Sequence, residues 1–244
     1  MYFESLRTAL IIDVNIMKAL FKIKSACVLC GDTTDQSTSL CIPCRNDLPV
    51  IQYACSACGL PLPVESDQSL CGQCLQLKPA VDYTHSLFYY ESPIDHLIGK
   101  MKYEGDLSCA AILGDLLQES VQNINHMPDS LIPVPLHNRR LVERGFNQSL
   151  EISRALSKQL QIPIDTQCVR RVKSTQAQQT LNLTQRKQNI KGCFEMQKNH
   201  NYKHVVLIDD VITTGSTVNE LARTLKKSGV EKVGVWSIAR AVLK

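Results

Sequence analysis

Two groups of residues in this sequence have types and spacings that do chemistry. The first is the run Val205-Val206-Leu207-Ile208-Asp209-Asp210-Val211-Ile212-Thr213-Thr214-Gly215-Ser216-Thr217. Its apolar start reads as a buried parallel strand that ends in two carboxylates. A short loop of Thr, Gly and Ser follows, and a helix begins at about Thr217. Ligands of parallel sheets bind beyond the carboxyl ends of the strands. Hydroxyls, consecutive backbone N–H groups and a helix N-terminus together make a cradle for a monophosphate. Gly215 lets the backbone approach closely. The acids Asp209 and Asp210 would repel a phosphate, but they accept hydrogen bonds well from the vicinal hydroxyls of a ribose. A ribose 5-phosphate suits both halves at once. The competing reading, an Asp-Asp turn with a Ser/Thr N-cap and no ligand, does not account for so ordered a run. A Walker A loop is excluded, because the Gly-Lys-Ser/Thr ending is missing.

The second group is cysteine. Eight of the eleven cysteines fall before residue 75, as the pairs 27/30, 41/44, 55/58 and 71/74, each Cys-x-x-Cys. Such a knuckle turns both sulfurs towards one point, and two knuckles supply four thiolates for a tetrahedral Zn²⁺. Cys27, Cys30, Cys41, Cys44, Cys55, Cys58, Cys71 and Cys74 therefore read as ligands of two structural zinc ions, with a single zinc and some pairs idle as the competing reading. Gly31, Gly59 and Gly72 stand within or just after knuckles. Sequential pairing closes the shorter loops; the spacing alone does not decide it against interleaved pairing. Four thiolates leave no open coordination position, so such a zinc is a staple for a segment too short to build its own core. Loss of a knuckle residue such as Cys55 is expected to weaken that segment and to leave sugar-phosphate affinity nearly unchanged. Cys109, Cys168 and Cys193 stand apart and read as small buried apolar residues.

The elements that must position these groups follow from the remainder. The chain has 244 residues, 44% of them hydrophobic and 20% charged, which fits an α/β core with a small appendage rather than a disordered chain. No apolar run approaches the roughly 20 residues that span a bilayer, and the N-terminus lacks a signal-peptide pattern, so a cytoplasmic location is expected. In a reducing compartment, metal ligation is favoured over disulfides. Residues 4–23 read as an amphipathic helix, and the ribbons occupy about 25–78. Residues 81–90 read as a strand, a helix starts at Ser92-Pro93 and runs to about Lys102, and a second helix covers 107–123. Strands are expected at 131–134, 162–172, 193–196, 204–208 and 230–239, with helices at 147–160 and 217–227. This alternation predicts an α/β fold with a mostly parallel sheet flanked by helices. The domains divide as 1–80, the N-terminal helix and double zinc ribbon, and 81–244. The net charge is only +4, yet residues 131–191 hold eleven Lys/Arg against three Asp/Glu. A basic middle in an otherwise slightly acidic chain points to an anionic ligand.

The run 205–217 resembles the phosphoribosyl pyrophosphate (PRPP) signature of type I phosphoribosyltransferases. That resemblance implies that Asp209 and Asp210 face the ribose hydroxyls and that Thr213, Thr214, Gly215, Ser216 and Thr217 hold the 5-phosphate. It implies Mg²⁺ bound with PRPP, a pyrophosphate loop at Pro135-Leu136-His137-Asn138, and a mobile loop at 173–191 that closes over the site. A narrower resemblance spans almost the whole chain. The knuckles are followed by Lys100-Met101-Lys102-Tyr103-Glu104-Gly105, then Ile132-Pro133-Val134-Pro135-Leu136-His137, Arg139-Arg140 and Arg144-Gly145-Phe146-Asn147-Gln148. Gln179-Thr180-Leu181 and Arg186 to Asn189 come next, before the PRPP signature. In that order the chain is similar to the ComF family, also called GntX-like. The resemblance implies a double zinc ribbon joined to a type I phosphoribosyltransferase-like domain, and cytosolic handling of single-stranded DNA in natural transformation. A competence ATPase or helicase, or DNA-processing proteins, are the implied partners.

In that frame His137, Arg139, Arg140 and Arg144 are pyrophosphate or DNA contacts, since guanidinium forks suit phosphate oxygens. A solvated basic loop is the competing reading for the arginines, and a turn closure for His137. Asn147-Gln148 reads as a helix cap. Lys100 and Lys102 could reach phosphate, but lysines on helix surfaces are usually only solvated. No general base or acceptor pocket can be named. An active Mg²⁺-dependent phosphoribosyltransferase is the alternative to a DNA-handling protein that has kept the cradle. A PRPP-sensing regulator is disfavoured, since no helix-turn-helix is evident.

Overall fold

The computed structural model describes residues 25–34, 39–63, 69–124, 126–173, 190–198 and 201–242. The expected helix at 4–23, nearly all of the loop at 173–191, and the motifs Gln179–Leu181 and Arg186–Asn189 lie outside the described residues. The chain separates into two compact units, Met1–Asp47 and Leu48–Lys244. The segment 1–80 is thus shared between them.

In the first unit, β1 (Ser25–Ala26) pairs antiparallel with β2 (Thr33–Thr34), and α1 (Ile42–Asn46) follows. The hairpin turns tightly at Gly31, where φ is +80° and the amide donates to the Cys27 carbonyl at 2.9 Å. Cys27 and Cys30 sit in that turn, while Cys41 caps α1 and Cys44 lies within it.

The second unit opens with α2 (Gly72–Gln76), β3 (Tyr83–Tyr89) and α3 (Ile94–Gly99). The last turn of α3 widens into a π-helical turn, Lys100–Glu104, which Gly105 ends in the left-handed conformation. Next come α4 (Leu107–Val121), β4 (Ser130–Pro133), α5 (Asn138–Arg144), α6 (Gln148–Leu160) and β5 (Val169–Arg171). Then follow β6 (Phe194–Met196), β7 (His204–Ile212), α7 (Ser216–Lys227) and β8 (Lys232–Arg240). The main sheet has the order β3-β8-β7-β4, and every neighbouring pair is parallel. Its central strands are apolar on both faces, as a sheet covered by helices requires. Val205 to Ile208 and the β8 residues Val233, Val235, Trp236, Ile238 and Ala239 are all fully buried. The fold is the α/β class with a parallel sheet and flanking helices that the alternation predicts.

Three local differences have physical causes. β7 does not stop at Ile208; it pairs with β8 as far as Ile212, so both acids are strand residues. The expected strand at 162–172 contracts to β5, and Ile164 keeps only one parallel bridge to Leu131. Pro163 has no N–H with which to extend a ladder. β6 pairs antiparallel with β5 in a small separate sheet rather than joining the main one.

Candidate functional site

A cleft of about 560 Å³ opens at the carboxyl ends of β4 and β7. Its wall includes Val134 and Leu136 after β4, and Asp209 to Val218 from β7 into α7. Tyr90, Lys102, Tyr103, Arg140, Arg144, Gln148, Ser149 and Arg171 complete the polar lining, with Glu143. This is where an open parallel sheet binds ligands.

The two acids are successive residues of an extended strand, so their side chains leave on opposite sides. Asp209 goes towards α6, where Ser149 Oγ donates to its Oδ1 at 3.4 Å, and the Asp210 amide donates to the same oxygen at 3.0 Å. Asp210 goes towards the π-helical turn, where Lys102 Nζ meets its Oδ2 at 2.6 Å. The Val211 amide donates to Asp210 Oδ1 at 2.7 Å. Burial pushes Asp209 up to about 7, and the neighbouring Asp210 carboxylate adds to the rise against the pull of Lys102. For Lys102, burial favours the neutral amine, but the Asp210 charge outweighs it and holds the ammonium above its ordinary range. The site thus holds one carboxyl whose ionised form is favoured by a hydrogen-bond donor or a cation beside it.

The loop after the acids is built to present donors. Gly215 takes the left-handed conformation at φ +71° and caps α7 without a side-chain capping bond of its own. A helix of this length (Ser216–Lys227) leaves its first amides open to an anion, and its dipole favours negative charge there. Thr214 Oγ1 and Ser216 Oγ lie 2.9 Å apart, and the Ser216 amide donates to Thr214 Oγ1 at 3.3 Å. Asn219 ties the loop down: its Nδ2 donates to the Gly215 carbonyl at 2.9 Å, and its Oδ1 accepts from the Ala80 amide at 2.6 Å. Asp209, Asp210 and Thr213 to Thr217 are therefore gathered in one cleft.

The four basic residues predicted after β4 divide. Arg140 and Arg144 line the cleft, half-buried, with no ion pair among the described residues. Arg139 is exposed and pairs with Glu143 at 2.8 Å. His137 Nδ1 accepts from the Arg139 amide at 3.2 Å and caps α5. It lines a neighbouring cleft of about 750 Å³ instead, which shares Leu136 and Arg171 with the first. Asn147 caps α6, its Oδ1 accepting from the Ser149 amide at 3.0 Å.

Sequence reasoning missed four contributors. Lys102, which the sequence offers as a phosphate contact or a solvated lysine, is the ion partner of Asp210. Ser149 and Gln148 read only as helix start; Gln148 is 2% exposed and its Nε2 has no hydrogen-bond partner among the described residues. Burial pulls the Arg171 guanidinium below its ordinary range, and the nearby Arg140 pulls the same way. Only Lys102, in a short Lys-Met-Lys-Tyr-Glu-Gly run that ends in a turn-forming glycine, carried a signal that could have flagged it.

The cysteines form two sequential tetrads, Cys27/Cys30/Cys41/Cys44 and Cys55/Cys58/Cys71/Cys74, with each set of sulfurs within 4.8 Å of one another. Cys30 and Cys41 Sγ lie 3.7 Å apart, as do Cys58 and Cys71 Sγ. That is far beyond a disulfide bond of about 2.05 Å. It is close to the edge of a tetrahedron with Zn–S bonds of about 2.3 Å, so the donor sets fit zinc. Burial raises Cys55, but N–H groups around it, including the Cys71 amide at 3.3 Å, bring it down to about 7. Burial, reinforced by the Cys55 charge, pushes Cys58 up to about 11. Four sulfurs this close need a cation to stay ionised together. Cys109, Cys168 and Cys193 are fully buried, as expected of small apolar side chains.

The Phosphoribosyl transferase domain family matches residues 146–241, and the Double zinc ribbon domain family matches residues 17–75. Competence protein F of Haemophilus influenzae is 36% identical over 224 residues, which cover 88% of this chain and 96% of that protein. DNA utilization protein YhgH of Escherichia coli (strain K12) is 33% identical over 208 residues, covering 83% of this chain and 91% of that one. Competence protein ComFC of Bacillus subtilis is 25% identical over 231 residues, covering 84% of this chain and 90% of that one. No helix among the described residues is long and apolar enough to cross a membrane.

Two predictions follow from the electrostatics. Asp209 keeps its proton in the folded chain to about pH 7, whereas its ordinary value is 3.8. The folded chain therefore holds more protons than the unfolded chain across that window, and stability falls as pH rises through it. Asp209→Asn is expected to raise the melting temperature by a few degrees at pH 8 and to change it little below pH 4 (of the order a 1 kcal/mol effect produces). Equal melting temperatures at pH 8 would contradict the buried-acid assignment. Elemental analysis is expected to find about two zinc ions per chain, and about one in Cys55→Ser. Unchanged zinc in that variant would remove Cys55 from the ligand set.

Proposed function

The chain belongs to the family of Competence protein F, and on that premise we propose that it is a PRPP-binding, phosphoribosyltransferase-like protein that handles single-stranded DNA in the cytoplasm during natural transformation. The observation that carries this reading is the juxtaposition, in one cleft, of the Asp209/Asp210 pair and the donor loop at the N-terminus of α7.

The chemistry follows from the groups present. A 5-phosphate takes the open N–H groups and hydroxyls of Thr213 to Thr217, where the helix dipole favours it. The ribose hydroxyls donate to the Asp209 and Asp210 carboxylates, and Lys102 lies against Asp210 at 2.6 Å. Arg140 and Arg144 face the same space and suit the diphosphate, or the phosphates of a DNA strand. Mg²⁺, arriving with PRPP, would neutralise diphosphate charge that these cations do not reach. Residues 131–191 carry eleven Lys/Arg against three Asp/Glu, a surplus that supports polyanion binding along this part of the chain. We read 1–80 as a zinc-stapled module that docks DNA or a partner such as a competence ATPase, and 81–244 as the phosphoribosyl unit.

One observation favours the alternative, an active Mg²⁺-dependent transferase with an unknown acceptor. The second cleft adjoins the first and carries Pro133, Pro135, Leu141, Phe146 and Leu150, an apolar wall suited to a planar acceptor. Release of pyrophosphate from PRPP on adding an acceptor would favour that reading.

Calorimetry with PRPP and Mg²⁺ tests the cradle. Asp209→Ala combined with Asp210→Ala is expected to weaken binding on the order of a hundredfold while the zinc content stays the same, since hydrogen bonds to charged groups contribute about 1.5–3 kcal/mol each. Unaltered affinity in that variant would sink the ribose assignment. Single-strand binding should weaken steeply with salt, and replacing Arg140 and Arg144 with Ala should flatten the slope by about 1.4, at about 0.7 per phosphate contact. Binding indifferent to salt would count against DNA as a ligand.

A further inference from the structure

We propose that Arg240 is the positioning residue of the phosphate loop, and that it anchors this loop to the second cysteine tetrad, so that zinc at Cys55/Cys58/Cys71/Cys74 holds the cradle in its binding shape. The proposal deepens the phosphoribosyl reading above and rests on it for the identity of the ligand.

Arg240 ends β8, opposite Ile212 at the end of β7. It is 6% exposed, although it carries a permanent charge. Among the described residues its guanidinium donates to four backbone carbonyls and also interacts with the Cys58 side chain. Nε donates to Cys58 O at 3.1 Å, within the second tetrad's first knuckle. Nη1 donates to Ile212 O at 3.2 Å, to Thr213 O, and to Ala241 O at 2.7 Å. One guanidinium thus bridges a metal knuckle and the first residues of the loop.

The direction of these bonds matters. In a trans peptide the C=O and the following N–H point opposite ways. Pinning the Ile212 and Thr213 carbonyls inward therefore turns the Thr213 and Thr214 amides outward, towards the cleft. Without the guanidinium the Ile212 carbonyl would keep the Ala241 amide at 2.9 Å, but the Thr213 peptide unit would be released to rotate, and the row of donors would lose its common direction.

A buried guanidinium also needs a counter-charge. Among the described residues it has no carboxylate partner. Four thiolates around one Zn²⁺ carry a net charge of about −2, and that charge lies one carbonyl away through Cys58. The knuckle is fixed to the sheet independently of Arg240. The Thr84 amide donates to Ser56 O at 2.8 Å, and Thr84 Oγ1 donates to Ala57 O at 2.8 Å. Gly59, at φ +68°, lies so close to β3 that a Cβ there would stand 2.7 Å from Ser86 Oγ and 2.8 Å from Thr84 Cγ2. A knuckle seated this firmly is a rigid abutment for the guanidinium. On this proposal, losing a ligand of the second tetrad weakens sugar-phosphate affinity, where the sequence alone leads one to expect it spared.

The test compares the full-length protein with Arg240→Met, Arg240→Lys and Cys71→Ser. Hydrogen exchange is read at the amides of residues 213–217 and at core amides of β7 and β8 such as Leu207 and Val235. Calorimetry with PRPP and Mg²⁺ is run in parallel. Arg240→Met is expected to speed loop exchange about tenfold and to weaken PRPP about tenfold, as loss of one charged hydrogen bond does. Core exchange and zinc content should stay at the wild-type level. Arg240→Lys, which keeps the charge but cannot span both ends, should fall between. Cys71→Ser should reproduce the loop effect. Wild-type loop exchange in a folded Arg240→Met, or in Cys71→Ser with its second zinc gone, would overturn the proposal. If Arg240→Met does not fold, Arg240→Lys and Cys71→Ser decide by the same readout. Failure of the wild type to bind PRPP would instead sink the phosphoribosyl reading, and loop exchange would still decide the Arg240 link.

Discussion

Parallel pairing of β7 with β8, from His204↔Lys232 to Ile212↔Arg240, is the constraint on which the rest depends. Both strands are buried on both faces, so their register is tightly held. That register places the two acids, the turn into α7 and the guanidinium of Arg240 at one end of the sheet. Shifting β7 by one residue would exchange the faces of Asp209 and Asp210. Each acid would then lose its partner, Ser149 on α6 or Lys102 on the π-helical turn.

The cleft concentrates unfavourable features that a core would not tolerate. Adjacent carboxylates, a half-buried ammonium, half-buried arginines with no carboxylate partner among the described residues, and a helix N-terminus whose cap glycine offers no side chain all meet there. Each is costly on its own, and on the proposed reading a phosphorylated polyol would supply the missing donors and charges. The raised Asp209 shows the same tension, because burial and the neighbouring Asp210 charge resist its ionisation. Away from the cleft, the apolar residues of β7 and β8 and the close seating of α4 on α6 at Gly114 follow ordinary packing rules.

The two tetrads share one donor set but differ in setting. In the first, Cys30 is exposed and the hairpin around it is short. The second is mostly buried, and its knuckle is bonded to β3 and to Arg240. A four-thiolate zinc has no vacant position for chemistry. Its influence on the site is therefore mechanical and electrostatic.

Much of this was legible in the sequence. The Cys-x-x-Cys spacing determined the knuckles, because a knuckle is a local structure, but only the fold decided that they pair in sequence. Alternating apolar runs determined the parallel α/β class, and Asp209 to Thr217 marked the cradle, because strand, loop and helix start are contiguous there. Contacts between residues far apart along the chain were not legible. Lys102 meets Asp210 only because a π-helical turn bends it over the strand end. His137 and Arg139 turn away from the cleft that Arg140 and Arg144 line, since the helical turn of α5 sends neighbouring residues in different directions. Arg240 reads as one more residue of a buried strand, and only the fold sets it between Cys58 and Thr213. Local order follows from neighbouring side chains, whereas a bridge between distant segments exists only once the sheet has brought its strand ends together.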